Sequence, residues 1–577
     1  MSQLADFTRK TAPSIKLDGQ LIDEFLAADL LEMRIARGTR TTGRASLTFV
    51  DRTSKLARSV LKLGASLSIS SIEPDQLIFE GVVTAVGSEV DADGLRATIT
   101  AHDATHALTR ARSVETFAKQ SPEDAIKQIA REARLSATTP SSGLKNEWFW
   151  RADSLLGQVD ELCERLGWEW VLEGKKDLRC IDVAGFEVPA ATATLEFGVE
   201  LMRFAAEQSK PVSTEVEVRG WDTANKTTVK ALASTPAESK GFKAAGAGQT
   251  STAKSLVTRS AVSTTREATS MAKAVAASSA TVTARGRAYF SPLVQPGHGV
   301  TIKGAGASDG DYYVREVEHV YDGGMLRTSF VAGFRAPTLV SDPWLAARSG
   351  SSIFGSGVHS AIVTNIKDDE KLGRVRVKLP SASEEHELGW ARVVAPGGGK
   401  SRGLHWMPEV NDEVLVAFED GDVRRPVVVG GLYNATDLPP GDKNDPPGEK
   451  RTLVSRAGHK IEFSDKEDFI DLVLSKGGVR LHLGTDRVDL ETKDKPLRIA
   501  SGNDEIVFDG QGTITISAQK IVLKSKTDLE LEGTNVKAKA GATASLEGQM
   551  TTIKAGASLK LQSSGIAELG GSVVKIN

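Results

Sequence analysis

The sequence predicts a mainly β-protein with a few helices, and three observations lead to this prediction. Short stretches along most of the chain alternate apolar and polar residues, whereas helical spacing of apolar residues occurs in few segments. Glycine and aspartate turns separate these stretches. The final segment, residues 509–577, contains no proline and no aromatic residue, yet it keeps a regular pattern of Ile, Leu and Val. With 577 residues, the chain has room for three or four domains.

Composition and charge argue against several classes of protein. The net charge of −3 argues against a nucleic-acid binder with a dense basic face. Cys163 and Cys180 are the only cysteines, so the sequence does not predict a disulfide framework. We expect the chain to be synthesised in a reducing cytoplasm. No apolar run reaches the ~18 residues of a transmembrane helix. The N-terminus also lacks the apolar core of a secretory signal, so export would need another route.

The N-terminal region reads as antiparallel strands followed by helices. Alternation at period two is clear in Ala45–Val50, Leu77–Val86 and Leu95–Asp103, which predicts a small barrel or sandwich. A helix is predicted over Ser121–Leu135, with Ser121 as N-cap and proline at its first position. A second helix is predicted over Ser154–Gly167, where leucine and valine recur at helical spacing and glycine ends the run.

A compact β-region follows a serine- and glycine-rich linker. Five alternating stretches lie within about 80 residues and end at Tyr433, which is the number of strands in an OB-type barrel. The segment Asp437–Lys450 contains four prolines and marks a second break. Before the linker, Ala231–Ala284 is rich in Ala, Ser, Thr and Lys, and part of it has high helix propensity.

The C-terminal segment is repetitive. Its apolar residues recur in short pairs, and the steps from Ile514 to Ile521, Leu529 and Val536 are seven, eight and seven residues. Thr, Ser, Lys, Gly and Ala fill the positions between them. This periodicity predicts a β-helix or β-prism with one short strand per repeat. The alternative is a low-complexity polar tail, which would not keep β-branched and leucine residues in register over this length.

Motifs for catalysis or metal binding are weak. Pro396–Ser401 resembles a phosphate-binding loop, but Val394 occupies the position where that motif needs glycine. His102 and His106 lie four residues apart, but a strand precedes them and no further ligands lie nearby in sequence. No G-x-S-x-G motif occurs, and EEHELGW (Glu384–Trp390) is not a zinc-protease motif. We therefore expect no catalytic residues, no metal and no cofactor.

The barrel region carries the most specific motif. The run P-E-V-x-D-E-V-L-V-x-F-E-x-G-D occupies Pro408–Asp422, and SRAGHKIEFSD follows at Ser455–Asp465. Weaker matches lie upstream, for example in Val218–Ala233, and the chain finishes with GSVVKIN. Together these segments resemble the family of valine-glycine-repeat protein G (VgrG) and phage-baseplate hub-spike proteins over nearly the whole chain.

The resemblance implies a fold and a division into domains. It implies a hub of β-barrel-like tube domains with α/β elements, an OB-fold barrel and a C-terminal intertwined trimeric β-helix needle. The corresponding boundaries are 1–346 for the hub, 347–357 for a linker, 358–434 for the barrel, 435–465 for a linker and neck, and 466–577 for the spike.

The resemblance also implies a function and partners. The expected function is the non-enzymatic central spike of a contractile injection system, which joins the inner tube to the tip and punctures the target envelope on sheath contraction. The expected partners are two further copies of the chain, a hexameric inner tube protein, baseplate proteins, a PAAR-type tip protein and effector cargo. Contact with the target membrane would be transient, and no nucleic acid is expected. The opening PSIKLDG and the end at Asn577 are more similar to the spike of an extracellular, phage-tail-like particle than to type VI spikes.

Residues for assembly can be assigned in the C-terminal segment. A single chain with so few apolar residues could not offset its own ordering entropy, so three chains must bury them around one axis. The predicted needle core comprises Ile514, Ile516, Ile521, Leu523, Leu529 and Leu531. An abrupt end of a β-helix leaves strand edges unprotected, and the predicted tip-docking residues there are Val573, Val574, Lys575, Ile576 and Asn577.

Two other classes of protein make different predictions. A wall-degrading spike enzyme would carry an inserted or appended domain, but only about 30 residues separate Tyr433 from the β-helical region. A receptor-binding fibre would carry exposed aromatic residues in its terminal repeats for stacking on glycans, and no aromatic residue follows Phe508.

Overall fold

The computed structural model describes residues 13–576 with several gaps. The residues outside the description are 1–12, 23–26, 72–74, 111, 145–146, 186, 210–212, 224, 236–240, 245–252, 259–261, 278–281, 335–356, 442–447, 477 and 577. Residues 347–356 of the predicted interdomain linker are therefore not described. The chain divides into two compact units, Met1–Leu438 and Pro439–Asn577.

The described secondary structure is mainly strand, as the sequence predicts. The first part contains β1 (Pro13–Leu17), β2 (Gln20–Leu21), β3 (Leu30–Gly38), β4 (Thr41–Val50), β5 (Ser66–Ser71), β6 (Gln76–Asp91), β7 (Gly94–His102), α1 (His106–Arg110), β8 (Arg112–Gln120), α2 (Pro122–Glu132), β9 (Ser136–Thr138), β10 (Glu147–Ser154), α3 (Leu155–Leu166), β11 (Trp168–Glu173) and β12 (Asp177–Asp182). Next come β13 (Ala191–Glu196), β14 (Leu201–Gln208), β15 (Glu215–Asp222), β16 (Thr227–Ser234), β17 (Lys254–Val257), α4 (Thr265–Ala277), β18 (Val282–Tyr289), β19 (Gly299–Lys303), β20 (Gly310–Tyr321) and β21 (Leu326–Ala332). The rest are β22 (Val358–Asn365), β23 (Arg374–Lys378), β24 (Ala391–Val393), β25 (Glu413–Phe418), β26 (Pro426–Gly431), β27 (Lys450–Val454), β28 (Lys460–Ser464), β29 (Phe469–Val473), β30 (Arg480–Gly484), β31 (Val488–Glu491), β32 (Leu497–Ser501), β33 (Asp504–Phe508) and β34 (Ile514–Ser517).

A thirteen-stranded sheet dominates the first unit. Eleven of its strands follow the order β14-β18-β21-β20-β3-β4-β7-β6-β5-β1-β2, and β13 and β19 join through β20. Strands from the start and end of the hub region therefore lie side by side, because β3 pairs antiparallel with β20. Two apolar clusters pack on this sheet, one around Phe49 and Leu47 and one around Phe330 and Val317.

Glycine is required at one point in this sheet. The Phe330 ring lies directly over Gly286 on the neighbouring strand, and a Cβ atom there would come within 2.1 Å of the ring. The residues on either side of this glycine, Arg285 and Arg287, are exposed and so point to the opposite face. Strand β18 thus gives an apolar inner face and a basic outer face, as expected from the alternation of side chains along a strand.

Helix α2 confirms the predicted N-cap, and a serine also caps α3. The Ser121 hydroxyl accepts a hydrogen bond from the Asp124 amide, and the Ser154 hydroxyl accepts one from the Gly157 amide. Gly167 ends α3 in the left-handed region with φ of 70°. Both helices pack on the sheet β11-β12-β9 around a buried cluster that includes Trp170.

The predicted five-stranded barrel is confirmed. Strands β22, β23, β24, β26 and β25 close in that order, and inward valines of β23 and β25 fill the interior. A separate sheet, β16-β15-β17, packs against α4 in the hub region.

The second unit contains two antiparallel meanders. Strands β27 to β31 form the first and β32 to β34 form the second. The first begins at Lys450, so the segment predicted as linker and neck already supplies two strands. No helix in the described part of the chain is long and apolar enough to cross a membrane.

Candidate assembly surface

The described residues after β34 form no regular secondary structure within the chain. Residues 518–576 contain neither helix nor strand in the described chain, and every residue from 511 to 576 is exposed. The predicted strand of each repeat would have to find its partners in other chains. We call the exposed apolar side chains of Ile514, Ile516, Ile521, Leu523, Leu529 and Leu531 the needle face.

The needle face begins inside the second meander. In β34, Ile514 lies opposite Phe508 and Ile516 lies opposite Ile506. The other four residues of the needle face follow beyond the last described strand. Their side chains, with those of Ile514 and Ile516, are between 49% and 72% exposed. The structure therefore brings the first two residues into a sheet and leaves the rest without a partner within the chain.

The exposed apolar side chains leave the ordering of this segment without compensation in a single chain. Ordering the backbone costs conformational entropy, and burial of Ile, Leu and Val side chains is one of the contributions that offset this cost. In the single chain the cost is not offset, because these side chains remain in water. Association of chains along the needle face would bury the side chains and pair the backbone groups at the same time.

The predicted tip-docking residues are also exposed. The side chains of Val573 and Ile576 are 75% and 82% exposed, and that of Val574 is half exposed. Lys575 lies between the apolar residues, and Asn577 lies outside the described residues. This end presents apolar side chains with a single positive charge, which suits contact with a protein surface.

A group of buried charges, which we call the joint cluster, links the hub helices to the barrel. It comprises Arg165 on α3, Glu267 on α4, and Asp422 and Arg424 between β25 and β26. Arg424 donates to Asp422 at 2.9 Å and to Glu267 at 2.8 Å, and Arg165 donates to Asp422 at 3.1 Å. All four side chains are a quarter exposed or less.

The pKa values in the joint cluster follow from burial and pairing. Burial raises the pKa of the Asp422 carboxyl, but the guanidinium groups of Arg424 and Arg165 reverse this effect, so its pKa lies well below the ordinary range. The same groups lower the pKa of the Glu267 carboxyl. Both carboxylates are therefore charged at neutral pH, and Arg424 is held between them. The pairs join residues 157 and 257 positions apart, and no local signal in the sequence points to them.

The structure shows where the weak catalytic and metal-binding motifs of the sequence lie. Pro396–Ser401 lies in an exposed loop between β24 and β25, with no helix after it. The rings of His102 and His106 stack with centroids 4.8 Å apart, and His102 bonds the Thr84 hydroxyl at 2.8 Å. Among the described residues, no three His, Cys, Asp or Glu side chains gather closely enough to hold a metal ion.

Two family models match the chain. Residues 359–433 match the type VI secretion system/phage-baseplate injector OB domain, which coincides with the closed barrel. Residues 14–322 match the Alg8 N-terminal domain, which covers just over half of the chain.

Several curated proteins that are similar to this chain are type VI spike proteins. The chain is 28% identical to the Pseudomonas aeruginosa spike protein VgrG1a over 141 residues, which is 23% of this chain and 21% of that protein. It is 36% identical to the Vibrio cholerae spike protein VgrG3 over 75 residues, which is 12% of this chain and 7% of that protein. The chain thus spans about a fifth or less of the length of these relatives.

Solved structures show more distant similarity. A Francisella PdpA–VgrG complex aligns at a TM-score of 0.46 and 9% identity, covering 89% of this chain and 80% of that one. An Escherichia coli type VI secretion component aligns at a TM-score of 0.45 and 15% identity, covering 70% of this chain and 97% of that one. The chain belongs to the family of the Alg8 N-terminal domain, whose model covers more than half of it, and its injector OB domain and curated relatives show that it is a member of the VgrG and phage-baseplate spike family.

Proposed function

We propose that the chain is the non-enzymatic central spike of a contractile injection system. In this role three copies associate, the hub meets the inner tube, and the C-terminal needle punctures the target envelope when the sheath contracts. The observation that supports the proposal is the exposed segment 511–576, which carries the needle face and whose described residues form no helix or strand beyond β34. Membership of the spike family supports the same role.

A homotrimer accounts for the chemistry of the needle face. Three chains wound around one axis would turn every Ile, Leu and Val pair inward and satisfy the backbone groups between chains. The segment from 509 has no aromatic residue, and a narrow prism has little room for one. Continuous hydrogen bonding along such a prism would make it stiff, which a puncturing point requires.

The mass of the particle in solution tests the trimer. The full chain should have a native mass of three times 61.4 kDa. A matched variant that ends at Ser517 removes the exposed segment and keeps every described strand. This variant should already dissociate at concentrations at which the full chain stays trimeric. A stable, folded monomer of the full chain would contradict the proposal.

The tip and the tube are the proposed partners at the two ends of the particle. A PAAR-type tip protein would bind Val573, Val574, Lys575, Ile576 and Asn577 at one copy per three chains. Deleting Gly571–Asn577 should abolish this binding and leave the trimer intact, as measured by co-elution of the purified proteins. If the truncated trimer captures the tip protein with unchanged affinity, the docking site lies elsewhere. The proposed partners at the hub are the hexameric inner tube protein, baseplate proteins and effector cargo.

We further propose that the system is an extracellular, phage-tail-like particle. The N-terminal PSIKLDG run, whose residues 13–17 form β1, supports this subtype by resemblance. Antibody labelling of particles purified from culture supernatant should find the chain at one end of each particle. Finding it only in cell-anchored complexes would assign the chain to a type VI system instead.

A further inference from the structure

The outer face of the large sheet carries an aligned row of polar side chains. Register places Arg203, Arg287, Ser329, Glu318, Ala36, Arg44 and His102 in one line across seven neighbouring strands, from β14 to β7. Arg285 lies two residues from Arg287 on the same face of β18. We call the side chains of Arg44, Arg203, Arg285 and Arg287 the arginine face.

The arginine face contains an unfavourable charge arrangement. Arg203 and Arg287 are direct cross-strand partners, and like charges placed opposite each other destabilise a sheet. All four side chains are exposed, and none forms an ion pair within the part of the chain that the structure describes. Arg34, another exposed arginine of the sheet, instead bonds Glu32 and Glu318. The arginine face therefore holds four guanidinium groups without an ion pair, although Glu316 and Glu318 lie near them.

The same side chains line a groove. The groove has a volume of about 1080 Å³, and its walls include all four arginines together with Glu316 and Glu318. It runs across β14, β18, β21, β20, β3 and β4, where outward residues such as Ala36 and Ser329 are small. A concave, wide and mainly basic surface of this size fits an extended segment of another molecule.

We propose that the arginine face binds an acidic, extended polypeptide segment of another protein. Alternate residues of a strand are about 6.6–6.8 Å apart and neighbouring strands about 4.8 Å apart. Carboxylates at alternate positions of an extended peptide therefore match the spacing of Arg285 and Arg287. A carboxylate bound between Arg203 and Arg287 would neutralise two like charges at once. Guanidinium groups suit this role because they bind carboxylates through two parallel hydrogen bonds.

The charges on the face favour a polypeptide over a nucleic acid. Glu316 and Glu318 lie in the same groove, where they would repel a continuous run of phosphates. A polypeptide can carry its own basic residue at those positions, whereas a phosphate backbone cannot. The chain as a whole also has a net charge of −3, which opposes association with a polyanion over a larger surface. This inference goes beyond the proposed spike function and does not depend on the needle.

Fluorescence anisotropy of the full chain tests the proposal. The probe is a labelled peptide of alternating glutamate and serine, with a glutamine–serine peptide and an oligothymidine of equal charge as comparison probes. We expect the acidic peptide to bind and the glutamine peptide not to bind. The variant Arg203→Gln/Arg287→Gln should weaken binding about tenfold or more. The matched variant Arg58→Gln/Lys62→Gln removes two exposed charges away from the groove and should bind as the parent does.

Thermal unfolding provides a second, independent readout. Relief of the cross-strand repulsion should raise the unfolding temperature of Arg203→Gln/Arg287→Gln while its binding falls, so weaker binding cannot come from unfolding. A lower unfolding temperature would overturn the argument from repulsion. Unchanged affinity in this variant, or tighter binding of oligothymidine than of the acidic peptide, would overturn the proposed partner.

Discussion

Removal of Arg424 from the joint cluster should cost far more stability than removal of an exposed arginine. Arg424→Met leaves the Glu267 carboxylate buried without the guanidinium group that donates to it. It also removes the three side-chain hydrogen bonds from Arg424 to Asp422. Breaking a buried ion pair on one side costs about 3–5 kcal/mol. Arg96→Met is the matched control, because its partners Asp91 and Asp93 lie at the surface with 36% and 83% exposure, and such pairs contribute about 0–1 kcal/mol.

Replacing both partners should recover much of the loss. In Arg424→Met/Glu267→Leu the buried charge pair becomes an apolar pair, while Asp422 keeps Arg165 at 3.1 Å. Apolar replacement of a buried pair is often close to neutral. The double variant should therefore be no less stable than Arg424→Met. With the single variant Glu267→Leu measured in the same cycle, the coupling energy between the two side chains should be about 2 kcal/mol or more.

Urea unfolding followed by tryptophan fluorescence measures these effects. All eight tryptophans precede Leu438, so the signal reports only on the first unit. A loss of 3–5 kcal/mol should move the midpoint by about 1 M urea or more. Two results would contradict a stabilising role of the joint cluster. One is that the stability losses of Arg424→Met and Glu267→Leu simply add in the double variant, and the other is that Arg424→Met and Arg96→Met have equal urea midpoints.

The joint cluster also predicts a dependence on pH. Because the pKa values of Asp422 and Glu267 are lowered in the folded chain, their contribution is complete above the ordinary carboxyl pKa. It is lost as the pH falls through the lowered values. The difference between Arg424→Met and the parent chain should therefore shrink below about pH 4. A difference that stays constant down to pH 3 would contradict this reasoning.

Three further predictions concern other parts of the chain. Ile516→Asp should destabilise the trimer by several kcal/mol per buried carboxylate, whereas Lys524→Asp should have a small effect, as measured by the resistance of the trimer to heat and SDS. Equal resistance of the two variants would show that Ile516 does not point inward. Burial, with a smaller effect of Arg37, lowers the pKa of His319 to about 3, so stability should fall as the pH drops from about 6.5 towards 3, by up to about 5 kcal/mol. Unfolding temperatures across this range should lose that slope in His319→Gln but keep it in the surface variant His405→Gln. Highly purified chain should give no peptidoglycan zymogram band, and a band lost on substitution of one carboxylate would reveal an enzyme.

Features set by neighbouring residues were predictable from the sequence. Ser121 and Ser154 cap helices because their hydroxyls reach amides three residues ahead. Gly167 ends a helix because glycine adopts the left-handed φ of 70° without steric strain. The barrel was predictable because its strands alternate and follow one another at short intervals. In each case the determining interactions lie within a few residues of one another.

Features set by distant residues were not predictable. The pairing of β3 with β20 joins strands about 280 positions apart, and nothing in either strand specifies the partner. The arginine face exists only because this pairing brings Arg44 into line with Arg287. The joint cluster is hidden for the same reason, since Asp422 stands out in the sequence only as the last residue of the barrel motif. The needle face was predictable as a pattern, but its partners lie outside the chain.

The contrast between the two ends of the chain dictates an order of assembly. The first unit has several buried cores of its own, whereas the segment after Ser517 has none. Three tails meeting by free diffusion would seldom collide productively. Once hubs associate, each tail is tethered near two others, and tethering raises the local concentration to about the millimolar range. In the proposed trimer, the needle would therefore close last, from the hub towards the tip, so that slow hub association would set the rate at which complete spikes accumulate.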